Sequence, residues 1–204
     1  HDIGHGPLSH TTEFAMPPRH KLGLTQLGPP EPDQRASHED FTLKILLDSG
    51  LTPILDRAGG YHGFSSLHVA ALIEPLLSVK DDFFFETIAG QSIDFRPILS
   101  QIISSEIDAD RMDYLRRDSL HAGVSYGEFD FDWLTSHLTA HLVHGKAYLA
   151  LKHRALYTFE DFLISRFHMF LMVYFHYKSV VFDKMLEEYC KSHEYKIPHD
   201  VEKY

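Results

Sequence analysis

The residues best suited to chemistry stand at the very start of the chain. The stretch HDIGHGPLSHTTE, residues 1–13, holds the imidazoles of His1, His5 and His10 and the carboxylates of Asp2 and Glu13. An imidazole nitrogen beside a carboxylate oxygen, as at His1-Asp2, offers two good ligands for a divalent ion of the manganese, iron or zinc type. Two ligands do not hold a catalytic ion. The others must come from elsewhere, with positions left open for water and substrate. An HD dipeptide alone means little, but its setting adds weight. Gly4 and Gly6 permit a sharp turn and a close approach to a ligand. Pro7 stiffens the exit, and His5 and His10 are expected to be presented from that turn beside Asp2. Glu13 lies three residues after His10 and can orient or charge-tune it if the turn is helical.

A second concentration of charge, EIDADRMDYLRRDSLHAGVSYGEFD, covers residues 106–130. At about 100° per residue, Asp110, Tyr114, Arg117 and Asp118 fall on one broad helical face, with Arg111 at its margin. A carboxylate, a cation and an aromatic platform could share that wall. The competing reading is an exposed helix laced with acid–base pairs among Asp110, Arg111, Asp113, Arg116 and Arg117. Further on, Arg166 sits inside the apolar run LISRFHMF, where an unpaired charge is costly. Tyr174 follows eight residues later, about 12 Å along a helix axis. On its own it reads equally well as a core aromatic. His137, His141 and His144 are expected on a solvated face of a hairpin rather than in a metal cage.

Composition narrows the function classes. The chain has 204 residues, 44% of them hydrophobic, enough for one domain with a real core. Its net charge of −10 argues against a nucleic-acid coat or an anionic-membrane binder. Cys190 is the single cysteine, so no disulfide framework within the chain and no cysteine-based zinc motif can form. A reducing, cytoplasmic home is the simplest expectation. The most apolar stretch, Leu163 to Phe175, is too short for a bilayer and carries Arg166 and His168, which predicts a buried helix and no membrane span. Neither a G-x-x-x-x-G-K-[ST] loop nor a G-x-G-x-x-G fingerprint is present.

The elements that must hold these groups read as mainly α. Residues 15–36 carry five prolines and little periodicity, which predicts a long loop, a lid or a mobile insertion. Ser37 with Asp40 forms a capping-box pattern, and Gly50 suits the helix stop. Phe64 to Val79 reads as a helix disturbed by Pro75. Ile98 to Leu120 reads as a helix in two pieces with a break near Ser104–Ser105. Residues 138–152 alternate about His144-Gly145 and predict a small β-hairpin. Thr158 with Asp161 is expected to cap a long helix over 158–190.

HDIGHGPLSH resembles the HD signature of the HD superfamily of metal-dependent phosphohydrolases, and in particular its deoxynucleoside-triphosphate triphosphohydrolase (dGTPase-like) branch. The 106–130 block resembles the same branch and is far more selective than the HD pair. Looser matches are His38-Glu39 and the stretch Phe162 to His176. The resemblance implies a single HD-type helical domain fragment over 1–204. It is expected to be truncated at the N-terminus, where the family's upstream metal-binding histidine would stand, and at the C-terminus. It also implies a divalent ion (Mn, Mg, Fe or Zn) on His1, Asp2 and Asp110. His10 takes the family's general-acid role, and His5 and His38 match histidines lining the phosphate site. Arg111 and Arg166 match phosphate contacts, Tyr114 packs on the deoxyribose, Asp118 meets the 3′-hydroxyl, and Tyr174 touches substrate. The expected reaction hydrolyses a deoxynucleoside triphosphate to deoxynucleoside and inorganic triphosphate. The ion lowers the pKa of a water at the α-phosphorus, and a histidine protonates the departing 5′-oxygen. Two alternatives stand beside it. One is another HD phosphohydrolase acting on a cyclic nucleotide or a nucleoside monophosphate. The other is a non-catalytic nucleotide-binding or regulatory HD module, which this chain could resemble if a missing ligand leaves it inactive. A homo-oligomer is the family's usual assembly.

Overall fold

The computed structural model describes residues 1–28, 31 and 33–203. Pro29, Pro30 and Pro32 of the expected long loop lie outside the described residues, as does Tyr204. The chain is mainly α with a small β element, and it forms two compact units. One comprises His1–Phe83 with Phe182–Tyr204, the other Phe84–Val181.

The first unit is built on helix α1, His38–Leu47. Its N-terminus is the expected capping box: Ser37 accepts from the Asp40 amide, and the Asp40 carboxylate accepts from the Ser37 amide. Arg19 then binds the same Asp40 carboxylate at 2.8 Å. Helix α1 packs on the opening turn of the chain and on helices α2, Thr52–Gly60, and α3, Ser66–Ile73. Phe41, Leu43 and Leu46 on α1 are buried, as are Ala70 and Ala71 on α3. Helix α3 ends before Pro75, so the 64–79 helix is shorter than its apolar pattern suggests. Residues 15–36 are not a free lid among the described residues. Short 3₁₀ turns at Arg19–Leu22 and Thr25–Leu27 and a bridge between Pro18 and Arg35 fold the segment back. Met16, Leu22, Leu24 and Ala36 are buried, which anchors it by ordinary apolar packing.

The second unit carries a four-stranded sheet of order β1-β2-β4-β3: β1 Phe85–Ile88, β2 Gln91–Asp94, β3 Leu138–Val143 and β4 Lys146–Leu151. The predicted hairpin is β3-β4, with Val143 opposite Lys146 around His144-Gly145. The β1-β2 hairpin is additional. Both turns have two central residues at positive φ, Ala89 with Gly90 and His144 with Gly145. Such turns match the twist of the strands they join. Ala-Gly lacks the usual asparagine or aspartate, which is why the first hairpin is hard to read from sequence. Helices α4, Arg96–Ile103, and α5, Ala109–Ala122, are the expected pair with a break between them. Helix α6, Phe131–Ser136, follows. His137 caps it, buried against Trp133, and its Nδ1 lies 2.7 Å from the Trp133 carbonyl. It is therefore not on the solvated hairpin face, where exposed His141 and His144 do lie.

The expected long helix over 158–190 is interrupted. Helix α7 covers Leu156–Met169, a π turn covers Phe170–Tyr174, and helix α8 starts afresh at Tyr177 and runs to Ser192. Thr158 lies inside α7 and does not cap it, because a 3₁₀ turn at His153–Ala155 leads straight into the helix. Phe162 and Met169 join Met112, Leu115 and Leu134 in the core of this unit. Leu163, Phe167, Leu171 and Phe175, expected as core residues, are exposed.

Candidate functional site

The opening residues form two short 3₁₀ turns, Asp2–Gly4 and Ser9–Ala15. Thr42 of α1 fastens the first. Its hydroxyl accepts from the Gly4 amide at 3.0 Å and donates to the His1 carbonyl at 2.6 Å. Gly4 is obligatory for this approach. A Cβ there would stand 2.1 Å from the His38 carbonyl oxygen and 2.4 Å from the Thr42 nitrogen. The sharp bend expected of Gly4 and Gly6 lies elsewhere. Leu8 and Ser9 carry the positive φ, at 64° and 54°. Consecutive non-glycine residues in that region store strain, a feature that gathers at functional sites.

These turns bring the predicted groups of the first unit together. The His1 Nε2 and Asp2 Oδ1 atoms are 3.1 Å apart, and His5 Nε2 lies 3.4 Å from the same oxygen. The His5 and His38 rings stack at 3.9 Å with planes 11° apart, and the His10 ring meets both edge-on. One oxygen of Glu13 faces two imidazoles: its Oε1 is 2.6 Å from His38 Nδ1 and 3.1 Å from His10 Nδ1. Burial opposes ionisation of Glu13, but the hydrogen bonds from His38 and His10 outweigh it and hold the carboxyl below its ordinary range. Glu13 is therefore an anion at neutral pH. Nδ1 of His10 is engaged by Glu13, on a side chain that is 69% exposed. Burial, and then the neighbouring His38, hold His5 below the ordinary histidine range, so its ring favours the neutral form.

His5, His10, Glu13 and His38 each present a ligand atom within 4.8 Å of the others. That grouping could take an ion, but Glu13 Oε1 is already shared by two nitrogens at hydrogen-bond distance. The cluster is thus complete as an acid–base assembly. The His1-Asp2 pair, a nitrogen and an oxygen donor held beside it, has the donor chemistry for a divalent ion of borderline softness.

In the second unit the side chains of Arg111, Tyr114 and Asp118 on α5 and Arg166 on α7 form a polar wall with Tyr174. The Tyr174 hydroxyl donates to Asp118 Oδ2 at 2.6 Å, and the Tyr114 and Tyr174 rings meet edge-to-face at 6.1 Å. Burial, and then the bond to Asp118, push the Tyr174 hydroxyl far up, so it stays protonated. Burial also raises Tyr114. Tyr174 is neither purely core nor free. Arg117 is not part of this wall, because it forms a two-pronged pair with Asp113 on the exposed side. Arg116 lies over the Phe131 ring. Arg111 and Arg166 both point to Glu106 Oε2, at 3.4 Å and 2.6 Å. Asp110 stands in the first turn of α5, which Asp108 caps by accepting from the Arg111 amide at 2.7 Å.

Sequence reasoning missed Thr42 and Glu106. Nothing in the run FTLKILL marks Thr42 as a clamp, since its partners are backbone atoms about 40 positions away. Glu106 stood in the quoted block, but only the two arginines meeting it reveal a role. The turn after α5 is also explained. Ser119 donates to the Val124 carbonyl and accepts from the Gly127 amide. A Cβ at Gly127 would lie 2.2 Å from the Leu115 oxygen.

No family model matches the chain. It is 31% identical over 177 residues to the uncharacterized protein YwfO of Bacillus subtilis, covering 86% of this chain and 31% of YwfO. It is 29% identical over 127 residues to the deoxynucleoside triphosphate triphosphohydrolase SAMHD1 homolog of Dictyostelium discoideum, covering 61% of this chain and 20% of that protein. The crystal structure of a hypothetical protein from Aquifex aeolicus superposes with a TM-score of 0.60 at 31% identity, over 94% of this chain and 42% of that one. The chain thus spans about a third of the length of YwfO. Among the described residues, no helix is long and apolar enough to cross a membrane.

Proposed function

We propose that this chain carries the metal and nucleotide site of an HD-type phosphohydrolase that releases inorganic triphosphate from deoxynucleoside triphosphates. The observation that supports it most is the Glu13 cluster: one anionic carboxylate oxygen shared by His10 and His38, with His5 stacked alongside and His1-Asp2 adjoining. The resemblance of the sequence blocks and the similarity to the Dictyostelium protein favour the same reading.

In this reading His1 and Asp2, with Asp110 as the sequence resemblance implies, would hold a divalent ion, which would supply an acidified water and offset phosphate charge. The chain's own residues do the rest. Glu13 accepts from Nδ1–H of His10, which leaves Nε2 as the nitrogen that, on the doubly protonated ring, donates a proton to the departing 5′-oxygen. His5, kept neutral, lines the phosphate site without adding fixed charge, and His38 stacks on it and braces Glu13. Arg111 and Arg166 bind phosphate oxygens, as guanidinium forks do well. Tyr114 packs against the sugar, and Asp118, oriented by Tyr174, accepts from the 3′-hydroxyl.

The test is a panel of nucleotides with Mn²⁺, Mg²⁺, Fe²⁺ or Zn²⁺ and the whole protein, with products separated by chromatography. Deoxynucleoside and inorganic triphosphate are expected, with Asp110→Ala inactive. His10→Ala should be slower by about 10²–10⁴-fold, the worth of a positioned general acid. Products of monophosphate and pyrophosphate, or full turnover in Asp110→Ala, would refute the assignment.

A further inference from the structure

Glu106 lies on the connection between α4 and α5, with its side chain 66% exposed, while the side chains of Arg111 and Arg166 are 26% and 28% exposed. A single carboxylate oxygen therefore draws two guanidinium groups from two different helices. Arg111 also donates to the Ser105 carbonyl, and Arg166 lies over the Phe170 ring. Arg111 has a second, more distant carboxylate partner in Asp108 at 3.9 Å, but the anion that the two like charges share is the Glu106 carboxylate. In this structure that anion is a side chain of the chain itself, in a position suited to a phosphate oxygen.

We infer that Glu106 is an internal stand-in for phosphate, a gate that occupies Arg111 and Arg166 until a polyphosphate displaces it. This rests on the nucleotide reading above, because it takes the two arginines as the phosphate contacts. A phosphate group brings more charge than a carboxylate and three acceptor oxygens. It can satisfy both guanidinium groups at once, whereas Glu106 gives each a single, partly solvated contact. An exposed ion pair of this kind is weak, so the gate opens to a di- or triphosphate and stays shut to weaker anions. It acts on affinity and selectivity rather than on the chemical step.

Removing the gate should strengthen binding, a gain that structural damage would not produce. The probe is inorganic triphosphate, titrated calorimetrically into the chain at low and moderate salt. Glu106→Gln should bind it about two- to fivefold more tightly, the scale of a lost exposed pair. Its binding should also weaken more steeply with salt, because the local positive charge is unmasked. Arg111→Ala and Arg166→Ala should bind it more weakly. Adding Glu106→Gln to the double arginine variant should bring no gain. If Glu106→Gln leaves affinity unchanged or lower while the arginine variants lose it, the gate is wrong and the phosphate site stands. If the arginine variants bind as the unmodified chain does, the nucleotide reading falls and the gate with it.

Discussion

Replacing Thr42 by valine tests whether the opening turn is held by a hydroxyl or merely by packing. Thr42 is 1% exposed and its hydroxyl makes two backbone bonds, accepting from Gly4 and donating to His1. Valine keeps nearly the same shape and loses both. At about 1 kcal/mol net for each bond, with a further penalty for a carbonyl left without its donor, the loss comes to about 2–3 kcal/mol. Serine keeps the hydroxyl and gives up one methyl, worth about 0.8 kcal/mol. The order of stability should therefore be threonine, serine, valine. With a urea slope of about 2.5 kcal/mol per molar, the valine midpoint falls by about 1 M and the serine midpoint by about 0.3 M. The single tryptophan, Trp133, belongs to the second unit and does not report on this one. Hydrogen exchange of peptides covering residues 1–47 does. Valine should raise exchange at the opening turn and weaken Mn²⁺ binding by loosening His1-Asp2. If the valine protein matches the parent in midpoint and exchange, or outlasts the serine protein, the clamp described here is wrong.

Three further expectations follow from the same contacts. Glu13→Gln removes the anion that His10 and His38 share, so turnover should fall by about 10- to 100-fold, less than the loss of a general acid, and the pH–rate profile should shift; an unchanged profile would separate Glu13 from the proton transfer. His5 has a depressed folded pKa, so the unfolded chain binds more protons near its own pKa of about 6.5. Stability is thus complete above about pH 6.5 and is lost as pH falls toward the folded value; melting at about pH 7.5 and about pH 5.5, with His5→Gln as the flatter control, measures it. Tyr174→Phe deletes the bond to Asp118 and should cost about 1.5 kcal/mol, as for a bond to a charged group. It should raise KM more than it lowers kcat, so an unaltered KM would place Tyr174 in a structural role alone.

Legibility in the sequence tracked the range of the interaction. The capping box at Ser37 and Asp40 was readable because its partners are three residues apart and need only local geometry. The β3-β4 hairpin was readable because alternation and a glycine turn coincide. The β1-β2 hairpin was not, since Ala89 carries a positive φ that its type does not advertise. The burial of Met16, Leu22 and Leu24 was hidden for a different reason. Met16, Leu22 and Leu24 are too widely spaced to make a periodic pattern, and tertiary packing alone buries them. In the cluster, residue types drew attention to His5, His10 and Glu13. The shared oxygen that ties His38 to them spans 25 positions and no local rule reaches it.

The late helix positions Arg166 and Tyr174 through its own break. Eight residues of regular α-helix turn about 80° past two whole turns. A continuous helix would therefore leave Tyr174 well round from Arg166. The π turn at Phe170–Tyr174 has a wider, i→i+5 loop and rotates less per residue. That takes back much of the excess, and the two side chains meet different ends of the α5 segment, Arg166 at Glu106 just before the helix and Tyr174 at Asp118 in its C-terminal half. The same interruption ends the expected 158–190 helix. An irregularity in the backbone is thus what aligns a cation and a hydroxyl along one wall, and π turns of this kind are found frequently at functional sites. The break and the alignment have one cause. A variant that restored a regular helix here by deleting one residue of the turn should rotate Tyr174 away from Asp118, leaving that carboxylate without its donor.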